Sequence, residues 1–153
     1  MPLETAKQVS VFFENRPGRL ANVLSALAKE KVNVTALTVM DSHEHGVLRV
    51  VTDNTTQTLK VLRGLGISCT ETEVLLVELR NQPGALAHVC ETLAAEHINI
   101  DYCYASSGGR NGRVFGIFKV SNTERAKSLL GGSANSKRAE RRPLRDKRAY
   151  TVR

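Results

Sequence analysis

Apolar residues recur along this chain with two different periods. In Gln8–Glu14, Val9, Val11 and Phe13 share one side, the alternation of a half-buried strand. Leu20, Val23, Leu24 and Leu27 then follow at i, i+3, i+4 and i+7, one apolar stripe on a helix. The β-branched runs at 32–40 and 47–52 predict two strands joined by a turn at 41–46. Leu59, Leu62 and Leu65 predict a short helix that Asp53 or Asn54 can cap and that Gly64 and Gly66 end. A last strand is expected over 67–73. The predicted order is β-α-β-β-α-β.

The same order then starts again, with a strand at 74–80, a helix at 84–96, a strand at 98–105, a glycine-rich turn at 106–113 and a strand at 114–120. Asn122 opens a final helix carrying Ala126, Leu129 and Leu130. Residues 15–34 and 81–100 align without gaps at an offset of 66 and match at ten positions. Asn15/Asn81, Pro17/Pro83, Gly18/Gly84, Leu20/Leu86 and Asn33/Asn99 are among them. The repeat divides the chain into a first module at 7–73, a second at 74–131 and a basic tail at 132–153. A unit of this size is near the lower limit for burying a core alone. The second copy lacks its fourth strand: residues 131–142 do not read as one, and Ala149–Val152 could return as a late edge strand. The alternative for that stretch is a solvated, disordered end, in keeping with its charge and low hydrophobicity.

This order is the split-βαβ, ferredoxin-like plan, an α+β fold with helices on one face of an antiparallel sheet. The other face should be polar if it is wet. Here it is not, because Val34 and Ala36 back Leu37 and Val39, and Val114 and Phe118 back Phe115 and Ile117. A sheet apolar on both sides needs a cover. The expectation is sheet-to-sheet contact, within the chain or in a homodimer.

Charge changes the picture only at one end. Of 22 basic residues, eight lie in 137–153 against Glu140 and Asp146 alone, which leaves 14 basic and 13 acidic groups in residues 1–136. The body is near neutral, so nucleic-acid binding is an expectation for the tail alone. Cys69, Cys90 and Cys103 are odd in number and have no C-x-x-C spacing, which suits reduced thiols in a cytoplasmic setting. No apolar run is long enough to span a membrane, and Met1–Ser10 has no signal-like apolar region. His43-Glu44-His45 reads as a solvated loop, because no third ligand lies near it in sequence. Cys90 and Cys103 read as core residues and Cys69 as half-exposed. Tyr102 and Tyr104 can stack on a ligand or pack. No nucleophile, carboxylate pair or metal set is present, so the expectation is a protein without catalysis, cofactor or metal.

The chemistry sits in the doubled N-x-P-G loop. A strand ends, proline and glycine follow, and a helix starts whose first N–H groups lack internal partners and lie at the positive end of its dipole. Glycine lets a ligand approach that bare backbone. Asn15 and Asn81 add donors and an acceptor beside it, and Asn33 and Asn99 offer the same chemistry at the head of the next strand. A zwitterion needs this mixture, whereas phosphate would call for more glycine or a lysine. The bland reading is a Pro-Gly turn with asparagines that favour turns.

The two repeats resemble ACT domains, small βαββαβ modules that sense amino acids and regulate metabolic enzymes. Glu14–Leu20, with Val32-Asn33-Val34 after the helix, is similar to the serine-sensing regulatory domain of phosphoglycerate dehydrogenase. In that domain a loop asparagine and a strand-opening asparagine from adjacent modules hold the amino acid. The resemblance implies that Asn15, Arg16, Pro17, Gly18, Arg19, Leu20 and Asn33 form one ligand-binding set. Asn81, Gln82, Pro83, Gly84, Ala85, Leu86 and Asn99 form the other. Phe13 and Leu79 stand where that family has a histidine. The implied function is that of a non-catalytic amino-acid sensor built of two modules, dimeric, with an amino acid as ligand. Each site is expected to be shared between modules, because a helix of about four turns, at ~1.5 Å per residue, separates Asn15 from Asn33. A regulatory subunit that docks on a biosynthetic enzyme without its own ligand, and a nucleic-acid binder acting through the tail, are the alternatives.

Overall fold

The computed structural model describes residues 2–42, 45–109 and 112–132. The elements are β1 (Leu3–Glu14), α1 (Arg19–Lys29), β2 (Val34–Ser42), β3 (His45–Thr52), α2 (Thr55–Gly64), β4 (Ser68–Arg80), α3 (Ala85–Ala95), β5 (Ile100–Gly109), β6 (Arg113–Val120) and α4 (Thr123–Gly132). The order βαββαβ runs from β1 to β4, and from β4 it starts again as βαββα, ending at α4. All strands join one antiparallel sheet in the order β2-β3-β1-β4-β6-β5. Asn54, rather than Asp53, caps α2, its side chain accepting from the Gln57 N–H. Asp53 instead accepts the Asn33 N–H at 2.9 Å. Asn122 receives the Arg125 N–H at the start of α4.

β1 and β4 are longer than the alternation predicts. Phe12 pairs with Ser68 at one end of their ladder and Leu3 with Val77 at the other. The segment Ser68–Glu73 is thus the fourth strand of the first unit, and Leu3–Lys7 takes the corresponding place in the second. That place, which could have fallen to Ala149–Val152, is filled from the other end of the chain. The tail itself lies outside the described residues, as do His43 and Glu44.

Three clusters of buried residues divide the interior. Val9, Val11, Leu48 and Val50 pack under Val23 and Leu27 of α1 and Leu62 of α2. Leu75, Val77, Leu79 and Phe118 pack under Val89 and Leu93 of α3 and Ala126 and Leu130 of α4. The third cluster lies on the face away from the helices. It joins Ala36 and Val51 of the first unit to Val74, Leu76 and Ile117 of the second. The sheet therefore curls until its two halves cover each other, and the sheet-to-sheet contact forms within the chain.

A polar patch sits in this inner contact. Gln8 is fully buried. Its amide nitrogen donates to the Tyr102 hydroxyl (2.7 Å) and Ser10 Oγ (3.2 Å), and its oxygen accepts from the Tyr104 hydroxyl (2.8 Å). Burial, then the neighbouring Tyr102, push the Tyr104 phenol above its ordinary range, with Arg49 opposing. A phenol whose folded pKa is raised contributes stability that is complete below the unfolded value of about 10 and is lost as pH rises above it. Tyr104 should stay protonated while the fold persists at about pH 11. Absorbance at a phenolate wavelength tests this. Tyr104→Phe should leave the folded-state titration unchanged and remove about a third of the phenolate signal of the unfolded protein, given three tyrosines in all. Loss of that third from the folded protein would refute the assignment.

Candidate functional site

Both N-x-P-G loops adopt the same backbone. Gly18 and Gly84 are the N-caps of α1 and α3, each in the left-handed region at φ 86°, and no side chain caps either helix start. Pro17 and Pro83 precede these caps, two positions before the first helical residue. The Arg19 and Ala85 N–H groups turn back to the Arg16 and Gln82 carbonyls. This leaves the next N–H groups, those of Leu20 and Ala21 and of Leu86 and Ala87, behind glycines that keep the approach open, an arrangement an anionic group can occupy. A Cβ at Gly18 or Gly84 would meet nothing within 4 Å. An L side chain there is still strained, by roughly 1–2 kcal/mol, because of the positive φ. Asn15→Ala is accordingly a cleaner probe of the loop than any change at Gly18.

The loops differ in their surroundings. Glu14 ties down the first through Arg16 (3.0 Å) and Arg19 (3.7 Å). The second, with Gln82 and Ala85 in those places, is held by its backbone: the Asn81 N–H donates to the Gly112 carbonyl at 2.9 Å. Asn15, Arg16, Pro17, Gly18 and Arg19 are exposed, as are Asn81, Gln82, Pro83, Gly84 and Leu86. Leu20 and Ala85 are half-buried against the cores under α1 and α3 and anchor the loops.

Within one unit the two asparagines lie far apart. Asn15 Nδ2 donates to Asp41 Oδ1 at 3.0 Å, near the end of β2, whereas Asn33 precedes its start. Eight residues of strand at about 3.3 Å each separate those ends. The curl of the sheet brings the units together differently. Ser106 Oγ of β5 donates to the Thr35 carbonyl of β2 at 3.0 Å. The Arg49 guanidinium, whose residue pairs with Thr38, lies 3.9 Å from the Tyr102 ring centre. Thr35 by Ser106 and Thr38 by Tyr102 mean that the two edge strands run antiparallel along a seam. Asn33 lies toward the end of the seam where β5 meets its hairpin and the second loop. Asn99 lies toward the other end, where β2 meets Asp41 and the first loop. A cavity of about 330 Å³ opens on the seam between Val34–Leu37 and Ala105–Ser106.

Two acidic residues at the first end escaped sequence reasoning. Asp41 holds Asn15, and Asp101 accepts from Asn99 Nδ2 at 2.9 Å. Their repeat equivalents are Ser107 and Thr35, so the repeat carried no signal for them.

Cys103 corrects an expectation, since it is exposed on β5 rather than in the core. The reason is position: β5 is an edge strand. Partial desolvation, then Cys90, raise its thiol pKa, the opposite of an activated nucleophile. Cys90 is half-buried against α3's core, and Cys69 is half-buried too. Among the described residues no group of three metal-ligating side chains occurs, and no helix is long and apolar enough to cross a membrane.

Comparison with known proteins agrees with this architecture. A family model described as an ACT domain pair matches residues 4–135. Protein BT0572 from Bacteroides thetaiotaomicron is similar in structure, with a TM-score of 0.79 and 32% identity over 86% of this chain and 90% of that one. The ligand-free regulatory subunit of aspartate kinase from Thermus thermophilus shares the fold, with a TM-score of 0.65 and 15% identity, over 88% of this chain and 98% of that one. No curated protein matches the sequence. With the repeated βαββα order, the doubled loop and a family match over most of its length, the chain belongs to the ACT domain pair family.

Proposed function

We propose that this protein is a non-catalytic regulatory module that binds an L-amino acid at the two ends of its edge-strand seam. The first site would join the Asn15 loop to Asn99, and the second the Asn81 loop to Asn33. The carrying observation is the duplicated helix start: glycines at the same positive φ, no side-chain cap on either helix and an asparagine beside each. The antiparallel approach of β2 and β5 supports sharing across the repeats of one chain. The ligand carboxylate would meet the helix N–H groups, and the asparagine oxygens would meet its ammonium.

A thermal-shift screen of the twenty L-amino acids tests the reading. Ligand at about 100 times its dissociation constant adds roughly 2.7 kcal/mol to the folded state, a shift of several degrees. Asn15→Ala combined with Asn99→Ala should weaken binding at the first site no more than either change alone, because both read one ligand. A flat response to all twenty would remove the sensor reading and favour docking on a partner enzyme without a ligand.

A further inference from the structure

The two ends of the curled interior are built as opposites. At one end Glu78 and Arg113 form an ion pair at 3.3 Å. At the other end the place of Glu78 is taken by Phe12, which pairs with Val47, and Val47 also pairs with Met40. Phe12 is 44% and Met40 48% exposed. One row deeper, behind the apolar rim, stands Arg49, where the ladder of the second unit has the buried Ile117.

Arg49 lies directly opposite Ser10 on one side and Thr38 on the other. Its guanidinium stacks on Tyr102 and donates to the Met40 sulfur, a weak acceptor. It is half-buried, and no carboxylate among the described residues pairs with it. The nearest acidic residue along β1, Glu14, is held by Arg16 and Arg19. Lys119 pairs with Tyr102 across the β5–β6 ladder and adds positive charge to the same region. A partly desolvated guanidinium with free donors calls for an anion. An apolar rim around it calls for an apolar substituent on that anion.

We propose that this end of the interior is a separate ligand site for a small monocarboxylate with an apolar substituent. The carboxylate would pair with Arg49 beside the Ser10 and Thr38 hydroxyls. The substituent would lie against Phe12, Val47 and Met40. An amino-acid zwitterion is a poorer fit, because among the described residues no acidic side chain of this rim is placed to receive an ammonium. The site uses none of the loop residues and stands independently of the amino-acid reading.

The test uses phenylacetate, isovalerate, acetate and inorganic phosphate as probes, read by melting temperature and tyrosine emission. The chain has no tryptophan and three tyrosines, of which Tyr102 lies under Arg49, so a change in emission that Arg49→Gln removes reports on the site. Phenylacetate or isovalerate should raise the melting temperature and alter the emission at millimolar concentration, at least tenfold more effectively than acetate or phosphate. Arg49→Gln should abolish both responses, and Met40→Glu, at an exposed position, should do the same by repulsion. Asn15→Ala should leave both intact. Equal responses in wild type, Arg49→Gln and Met40→Glu would overturn the proposal, as would a response to phosphate or acetate no weaker than to the apolar acids, or no response to any probe.

Discussion

Deleting residues 2–7 is expected to unfold the second half of the molecule, although every one of those residues precedes the first predicted strand. Leu3–Lys7 pairs with Glu73–Val77 in the middle of the sheet and packs Leu3 against the core under α3 and α4. The deletion strips one edge of β4 and opens Leu76 and Val77 to water. Each lost backbone hydrogen bond costs about 0.5–1.5 kcal/mol net. Loss of the partly buried Leu3 side chain costs less than the roughly 1.5–3 kcal/mol of a fully buried one. The sum is on the order of 5 kcal/mol, comparable with the whole stability of a small domain. Hydrogen exchange should show β4, β6 and α4 losing protection first, with α1 and α2 retaining more. A truncated protein that melts with the wild type and keeps its protection in β6 would disprove the role assigned to this segment.

Gly116→Val should lower the melting temperature by several degrees, and Phe118→Leu should restore part of the loss. A Cβ at Gly116 would sit 2.7 Å from Phe118 Cε2 and 3.4 Å from Leu79 Cδ1. Phe118 is fully buried, so its ring has little room to move aside. Overpacking of this kind costs about 1–3 kcal/mol. Gly116 has no positive φ, which makes space rather than backbone strain the cause. The smaller leucine should therefore relieve Gly116→Val while being destabilising alone, a coupling of opposite sign to simple addition. Additive losses in the double variant would exclude the clash as the reason.

The duplication, the element order and the two loops were legible because they depend on local features. Strand alternation, the Leu20–Leu27 stripe, the Asn54 and Asn122 caps and the N-x-P-G turns are each written within one or two turns of chain. Tyr102 and Tyr104 were readable as residues that stack on a ligand or pack. The partners of Tyr102 and Tyr104 were not readable, since Gln8 and Arg49 lie far away in sequence. Cys103 was misplaced because alternation predicts which way a side chain points but not whether anything covers that side.

What the sequence determined by itself is therefore the unit: a βαββαβ module, made twice, with an anion-competent helix start at Gly18 and again at Gly84. Only the tertiary structure decided how the two units complete each other. Leu3–Lys7 reads as a polar lead-in, because its value lies in its N–H and C=O groups pairing with β4, and backbone pairing leaves no trace in side-chain identity. The same holds for the curl that brings Thr35 to Ser106 and Arg49 onto Tyr102. It follows from the twist of a long antiparallel sheet and from the need of two apolar faces to leave water together.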